Sequence, residues 1–82
     1  KLIAAGKQSK LFWKINGNRK GCVITYKTLA NPNPQIDKEI SVIKSSEGNN
    51  ITEAIKEKRT YTLTCGKVSA SADVSVYSLN EI

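Results

Sequence analysis

Arg59-Thr-Tyr-Thr-Leu-Thr-Cys65 is the stretch that decides how this chain is read. It alternates strictly: Tyr61, Leu63 and Cys65 share one side, and Thr60, Thr62 and Thr64 share the other. Side chains on an extended strand point alternately to opposite faces. The pattern therefore predicts a half-buried strand with a β-branched solvent face. Its inward row ends in a cysteine, and the only other cysteine is Cys22. If the two meet, this strand ties the C-terminal half of the chain to the N-terminal half.

The flanking segments have the same character. After the turn signal Gly66-Lys67, Val68 to Leu79 reads as the last strand, with Ala70, Ala72, Val74 and Val76 inward. Upstream, Gly21 to Lys27 reads as a strand with Cys22, Ile24 and Tyr26 on one face. Asn16-Gly-Asn18 before it suits a hairpin turn. Lys10 to Ile15 is a further strand: Leu11, Trp13 and Ile15 share one face, and Lys10, Phe12 and Lys14 share the other. Leu2-Ile3-Ala4 is a short first strand or the end of a linker.

The middle of the chain is less regular. Asn31-Pro-Asn-Pro34 is a rigid loop that cannot sit inside a sheet. Lys38 to Ile43 reads as a strand with Ile40 and Val42 paired on a face, and Ser45 to Asn50 reads as a polar turn. Between Ile51 and Lys58 two patterns compete. Asn50 and Glu53 suit a helix start, with Ile51, Ala54 and Ile55 at helical spacing. A short strand around Asn50–Glu53 is preferred, because short strands surround it. The expected fold is all-β: a sandwich of about seven short strands with turns between them.

Eighty-two residues make one small domain with room for one core. With two cysteines and no histidine, the chain lacks the four N/S ligands of a tetrahedral zinc site. The cysteines read as one disulfide, which implies an extracellular, cell-surface or periplasmic setting; the alternative is two buried free thiols in a cytosolic domain. No apolar run approaches a membrane span, and no signal peptide is visible. Starting at Lys1 without an initiator methionine, residues 1–82 are expected to be a mature or excised module of a longer protein.

The net charge of +6 is unevenly placed. Residues 1–30 carry Lys1, Lys7, Lys10, Lys14, Arg19, Lys20 and Lys27 and no acidic residue, whereas the rest of the chain is nearly balanced.

Gly6-Lys-Gln-Ser-Lys-Leu-Phe-Trp13, the cysteine nine residues on, Thr60-Tyr-Thr-Leu-Thr-Cys65 and Ala70-Ser-Ala-Asp-Val-Ser-Val76 together resemble a bacterial immunoglobulin-like module of secreted and cell-surface proteins. The similarity covers nearly the whole chain and is most specific in the C-terminal third. The resemblance implies an immunoglobulin-like sandwich in which Cys22 pairs with Cys65. It further implies that Trp13 fills the core beside the bridge and that Tyr61 packs at the start of its strand, with its hydroxyl on nearby backbone. Leu63, on the same inward row, is a core residue. The order departs from antibody domains. There the tryptophan follows the first cysteine and the corner tyrosine lies two residues before the second. Here Trp13 precedes Cys22, and Leu63 stands two residues before Cys65.

No catalysis is expected. Histidine is absent and no free reactive cysteine is foreseen, so the common general bases and nucleophiles are lacking. No cofactor or metal is called for, since no Gly-rich phosphate loop or metal motif is present. Asp37/Glu39 and Glu53/Glu57 are acid pairs by sequence alone and read as solvated surface charge. Asn50-Ile-Thr52 matches a glycosylation acceptor pattern, read as accidental in a bacterial protein and placed in a polar loop. The candidate contact set is Lys10, Phe12, Lys14, Arg19 and Lys20: a basic face around an aromatic, suited to an acidic partner. The bland alternative is a solvated strand whose lysines discourage edge pairing. The expected partners are protein neighbours, of the same chain type or adjacent domains, with an anionic polysaccharide as the alternative. Nucleic acid is disfavoured, because only one aromatic lies on that face. The expected role is a structural or interaction module of a bacterial surface, adhesin or filament protein.

Overall fold

A computed structural model of the chain describes residues 1–15, 21–40 and 47–77. Among these residues there are six strands and no helix. In chain order they are β1 (Leu2–Ala4), β2 (Lys10–Lys14), β3 (Cys22–Lys27), β4 (Glu47–Ile51), β5 (Arg59–Cys65) and β6 (Val68–Tyr77). They form a four-stranded sheet, ordered β1-β6-β5-β3, and a two-stranded sheet of β2 and β4. The fold is an all-β sandwich with an inter-strand disulfide.

β5 lies inside the larger sheet and pairs antiparallel with β3 on one side and β6 on the other. Its threonine row lies outward: Thr60 Oγ1 donates to Asp73 at 2.8 Å, and Thr62 Oγ1 lies 2.9 Å from Ser71 Oγ. Inward, Tyr61 packs with Ile24, Ile40, Ile55 and Val74 as the buried core. Ile3, Leu11, Trp13, Tyr26, Leu63 and Val76 close around it. Cys22 and Cys65 are direct register partners and form the disulfide. The bridge thus joins neighbouring strands of one sheet, whose cysteines lie 43 residues apart in sequence.

Two connections explain the strand order. Gly66-Lys67 is a two-residue hairpin loop, because Cys65 pairs directly with Val68. Gly66 has φ +63°, and among the described residues only glycines have positive φ. A glycine-first loop of this kind matches the twist of the flanking strands. Between β1 and β2 the chain changes sheets. Ala5 N–H donates to Tyr77 on β6, and the next amide, Gly6, donates to Ile55 at 2.7 Å. Gly6 has φ +85°, which permits that reversal. Ile55 N–H then donates to Lys7 and Thr52 N–H to Ser9, leading into the β2–β4 ladder.

Several expectations are corrected. Lys38 to Ile43 is not a strand over its described part. Lys38, Glu39 and Ile40 form a turn, because the Asp37 carboxylate accepts the Glu39 amide at 3.0 Å and the Asp37 carbonyl accepts that of Ile40. Residues 41–43 lie outside the described residues, as do the Asn16-Gly-Asn18 turn and the end of the last expected strand. The segment expected as a polar turn holds most of β4, which begins three residues before the short strand placed at Asn50–Glu53 and shares only Asn50 and Ile51 with it. Pairing with β2 imposes it; the segment Glu-Gly-Asn-Asn-Ile has little strand preference of its own. No helix forms between Ile51 and Lys58. Ala70 and Ala72 share the inward parity of Val74 yet are exposed, because none of the described strands covers that end of β6. Asn50 lies on β4 rather than in a polar loop, and its side chain donates to the Glu39 carbonyl.

Candidate functional site

β2 offers two different faces. Leu11 and Trp13 turn inward and are half-buried. Trp13 stands opposite Gly48 on β4. Lys10, Phe12 and Lys14 turn outward and are exposed. Phe12 is 72% exposed, an unusual state for an aromatic side chain on a paired strand. Directly opposite are Ile51, Asn49 and Glu47, respectively partners of Lys10, Phe12 and Lys14. Ile51 is also exposed and sits diagonally from Phe12, within reach of an aromatic ring on the same face. The result is a small apolar centre with lysines at both ends. Sequence parity singled out the β2 half of this face. Ile51 was expected on a short strand at Asn50–Glu53, but nothing in the sequence pairs that strand with β2, so its place beside Phe12 was not legible. Arg19 and Lys20, named with this set, lie outside the described residues.

Behind β2, a cleft of about 230 Å³ opens between the two sheets. Leu11, Trp13, Leu63, Ala70 and Ala72 line it, with Tyr61 and Ile24 in its floor. Trp13 is therefore at the wall of an open cleft rather than enclosed. Leu63 shares that wall, and Tyr61 is fully buried below it.

The densest polar chemistry is buried at the other end of Tyr61. The Tyr61 hydroxyl donates to Asp37 Oδ2 at 2.7 Å and accepts from Arg59 Nη1 at 3.0 Å. Arg59 also reaches Asp37 at 3.4 Å and Glu53 Oε1 at 2.9 Å. Its guanidinium lies 3.8 Å from the centroid of the Tyr26 ring, and that ring lies 5.7 Å from Tyr61. Asp37 is completely buried, and the Glu53 amide donates to its carboxylate. Burial, then the bond to Asp37, raises the Tyr61 pKa above the ordinary tyrosine value. Burial opposes the Arg59 charge, but its bonds to Tyr61 and Glu53 outweigh that opposition and raise its pKa.

This network corrects two expectations. Asp37 is a buried ion-pair partner, not a solvated surface charge. The Tyr61 hydroxyl binds a carboxylate rather than nearby backbone. The cause is the loop after β3. Gln35 pairs with Tyr26 through two backbone bonds of 2.8 and 2.9 Å, and this turns Asp37 back under β5. The Asp37 carboxylate, the Tyr61 hydroxyl and the Arg59 guanidinium are all held by other groups of the chain, so the network positions strands.

Among the described residues no group of three or more His, Cys, Asp or Glu side chains converges on a common point. No described helix is long and apolar enough to cross a membrane. No protein-family model matches the chain, and a search of curated proteins finds no match.

Proposed function

We propose that this chain is a non-catalytic, immunoglobulin-like interaction module of a bacterial cell-surface, adhesin or extracellular filament protein. The observation that carries this reading is the outward Phe12, framed by Lys10 and Lys14 on β2. A large apolar group displayed between charges marks a contact surface for another protein better than a solvated strand. The strand order supports the immunoglobulin-like part. β3, β5 and β6 are arranged as the C, F and G strands of such a domain, with β1 flanking G, and β2 and β4 stand as B and E. On that correspondence the cysteines join C to F instead of B to F, and the tryptophan moves from C to B. The disulfide supports an oxidising setting outside the cytoplasm.

The partner is a neighbouring protein subunit or domain with a shallow apolar depression and acidic rim. Replacing Phe12 by alanine leaves the core untouched and removes the centre of the contact. Assembly of the native protein, followed by electron microscopy, is expected to be lost or disordered in Phe12→Ala. Assembly unchanged by that substitution contradicts the reading. Binding of an anionic polysaccharide is the second reading, favoured by lysines at both ends of the face. It requires an affinity that falls steeply with added salt, measurable by titration calorimetry.

A further inference from the structure

The loop after β3 is built to hold one shape. Its base is closed by the two backbone bonds between Tyr26 and Gln35. Further out, Thr28 N–H donates to the Asn31 carbonyl, and Asn31 N–H donates back to Thr28 Oγ1, both at 3.0 Å. Asn33 N–H then donates to Asn31 Oδ1 at 3.1 Å, between the two prolines Pro32 and Pro34. At the tip of the reversal, Leu29 is 96% exposed. A leucine held outward on a rigid loop adds nothing to the core, and it meets a partner without an ordering cost.

At the base of this loop a second cleft, of about 220 Å³, is lined by Lys27, Thr28, Leu29, Lys58 and Thr60. Lys27 stands opposite Thr60 in the β3–β5 register, so both face outward from the larger sheet. The Lys27 ammonium makes no ion pair among the described residues. Lys58 has only the solvent-exposed pair with Asp73 at 3.7 Å, and Asp73 also accepts the Thr60 hydroxyl. The Thr28 hydroxyl accepts the Asn31 amide and keeps its own proton for a ligand.

We propose that this cleft binds a carboxylate side chain of an acidic protein segment, with an apolar neighbour of that carboxylate packed on Leu29. The charge favours a carboxylate. Two lysines beside the Asp73 carboxylate leave one net positive charge, which matches one carboxylate better than a nearly doubly charged phosphate. No arginine among the lining residues supplies the fork that recognises phosphate. A peptide is favoured over an acidic sugar because the apolar lining is the aliphatic Leu29, with no aromatic face to stack on a sugar ring. The cleft lies on the outward face of the larger sheet, and Phe12 lies on the smaller sheet, so the two contacts are independent.

Amide-resolved NMR of the oxidised, isotope-labelled protein, titrated with the peptide acetyl-Leu-Glu-Leu-amide, tests the proposal. Saturable shifts are expected at Lys27, Thr28, Leu29 and Thr60, and none with acetyl-Leu-Gln-Leu-amide, which has the same shape without the charge. Lys27→Ala and Lys58→Ala each weaken binding roughly threefold, and together about tenfold. Leu29→Ser weakens it without lowering the unfolding midpoint, because the side chain has no packing to lose. Phe12→Ala leaves it unchanged. Absence of saturable shifts, an equal response to the glutamine peptide, or shifts confined to Lys10–Lys14 overturns the proposal. Tighter binding of inorganic phosphate than of the glutamate peptide overturns it in favour of a general oxyanion site, and tighter binding of tetragalacturonate in favour of an acidic glycan.

Discussion

Asp37 is the residue on which the buried polar network depends. Its carboxylate accepts from the Tyr61 hydroxyl, the Arg59 guanidinium and two backbone amides. Asp37→Ala leaves the Arg59 charge without its buried partner and is expected to destabilise the fold by about 3 kcal/mol, read by urea unfolding. By comparison Asp73→Ala, whose ion pair with Lys58 is solvent-exposed, costs at most about 1 kcal/mol. Tyr61 adds a pH dependence. The folded state holds its proton more tightly than the unfolded chain, which releases it near pH 10. The stability from this group is therefore complete below about pH 10 and declines as pH rises beyond it. In Tyr61→Phe that alkaline decline is expected to be shallower, measured by thermal unfolding across the alkaline range. Little of this was legible in the sequence. Arg59 has the same parity as Tyr61, Leu63 and Cys65, and that parity was the one available signal that it turns inward. Asp37 lies 22 residues away from it, and no local pattern announces the pairing.

At the scale of elements, β5 was the easiest to read and β4 the hardest, for opposite reasons. β5 carries its own pattern: alternating threonines outside and large side chains inside, ended by a glycine turn. β4 has no pattern of its own and becomes a strand because β2 offers five partners in register. The β5–β6 hairpin is correspondingly sensitive to its turn. A Cβ at Gly66 would meet no neighbour within 4 Å, so the cost of Gly66→Ala is that of the positive φ alone. That cost is roughly 1–2 kcal/mol, readable as a lowered unfolding midpoint. The disulfide links β3 to β5 across 43 residues of sequence. In the chain-entropy account, opening a loop of that size costs about 4 kcal/mol. The double variant Cys22→Ala/Cys65→Ala is expected to lose a large part of the stability of so small a domain. A loss below about 1 kcal/mol would mean that the sheet holds its register without the bridge.

At the scale of the whole molecule, the sandwich is closed along β5 and open along β2 and β6. The closed side contains the core and the ion-pair network; the open side contains the cleft and the exposed Phe12. A module built this way keeps its stability and its contacts on different sides, which is the arrangement proposed for a surface or filament component. The sequence showed the all-β class, the inward row of β5 and the outward lysine–phenylalanine row of β2. It did not show that Ala70 and Ala72 remain exposed, because strand parity reports which side a residue faces and not whether anything covers that side. The proposal of an extracellular module depends most on the bridge between Cys22 and Cys65 existing where the protein works. The decisive measurement is the intact mass, without reductant and with thiols alkylated at lysis, of the chain from its native source. The account predicts a mass lower than the reduced chain by two hydrogen atoms, with no alkyl adduct. Two alkylated cysteines would contradict it.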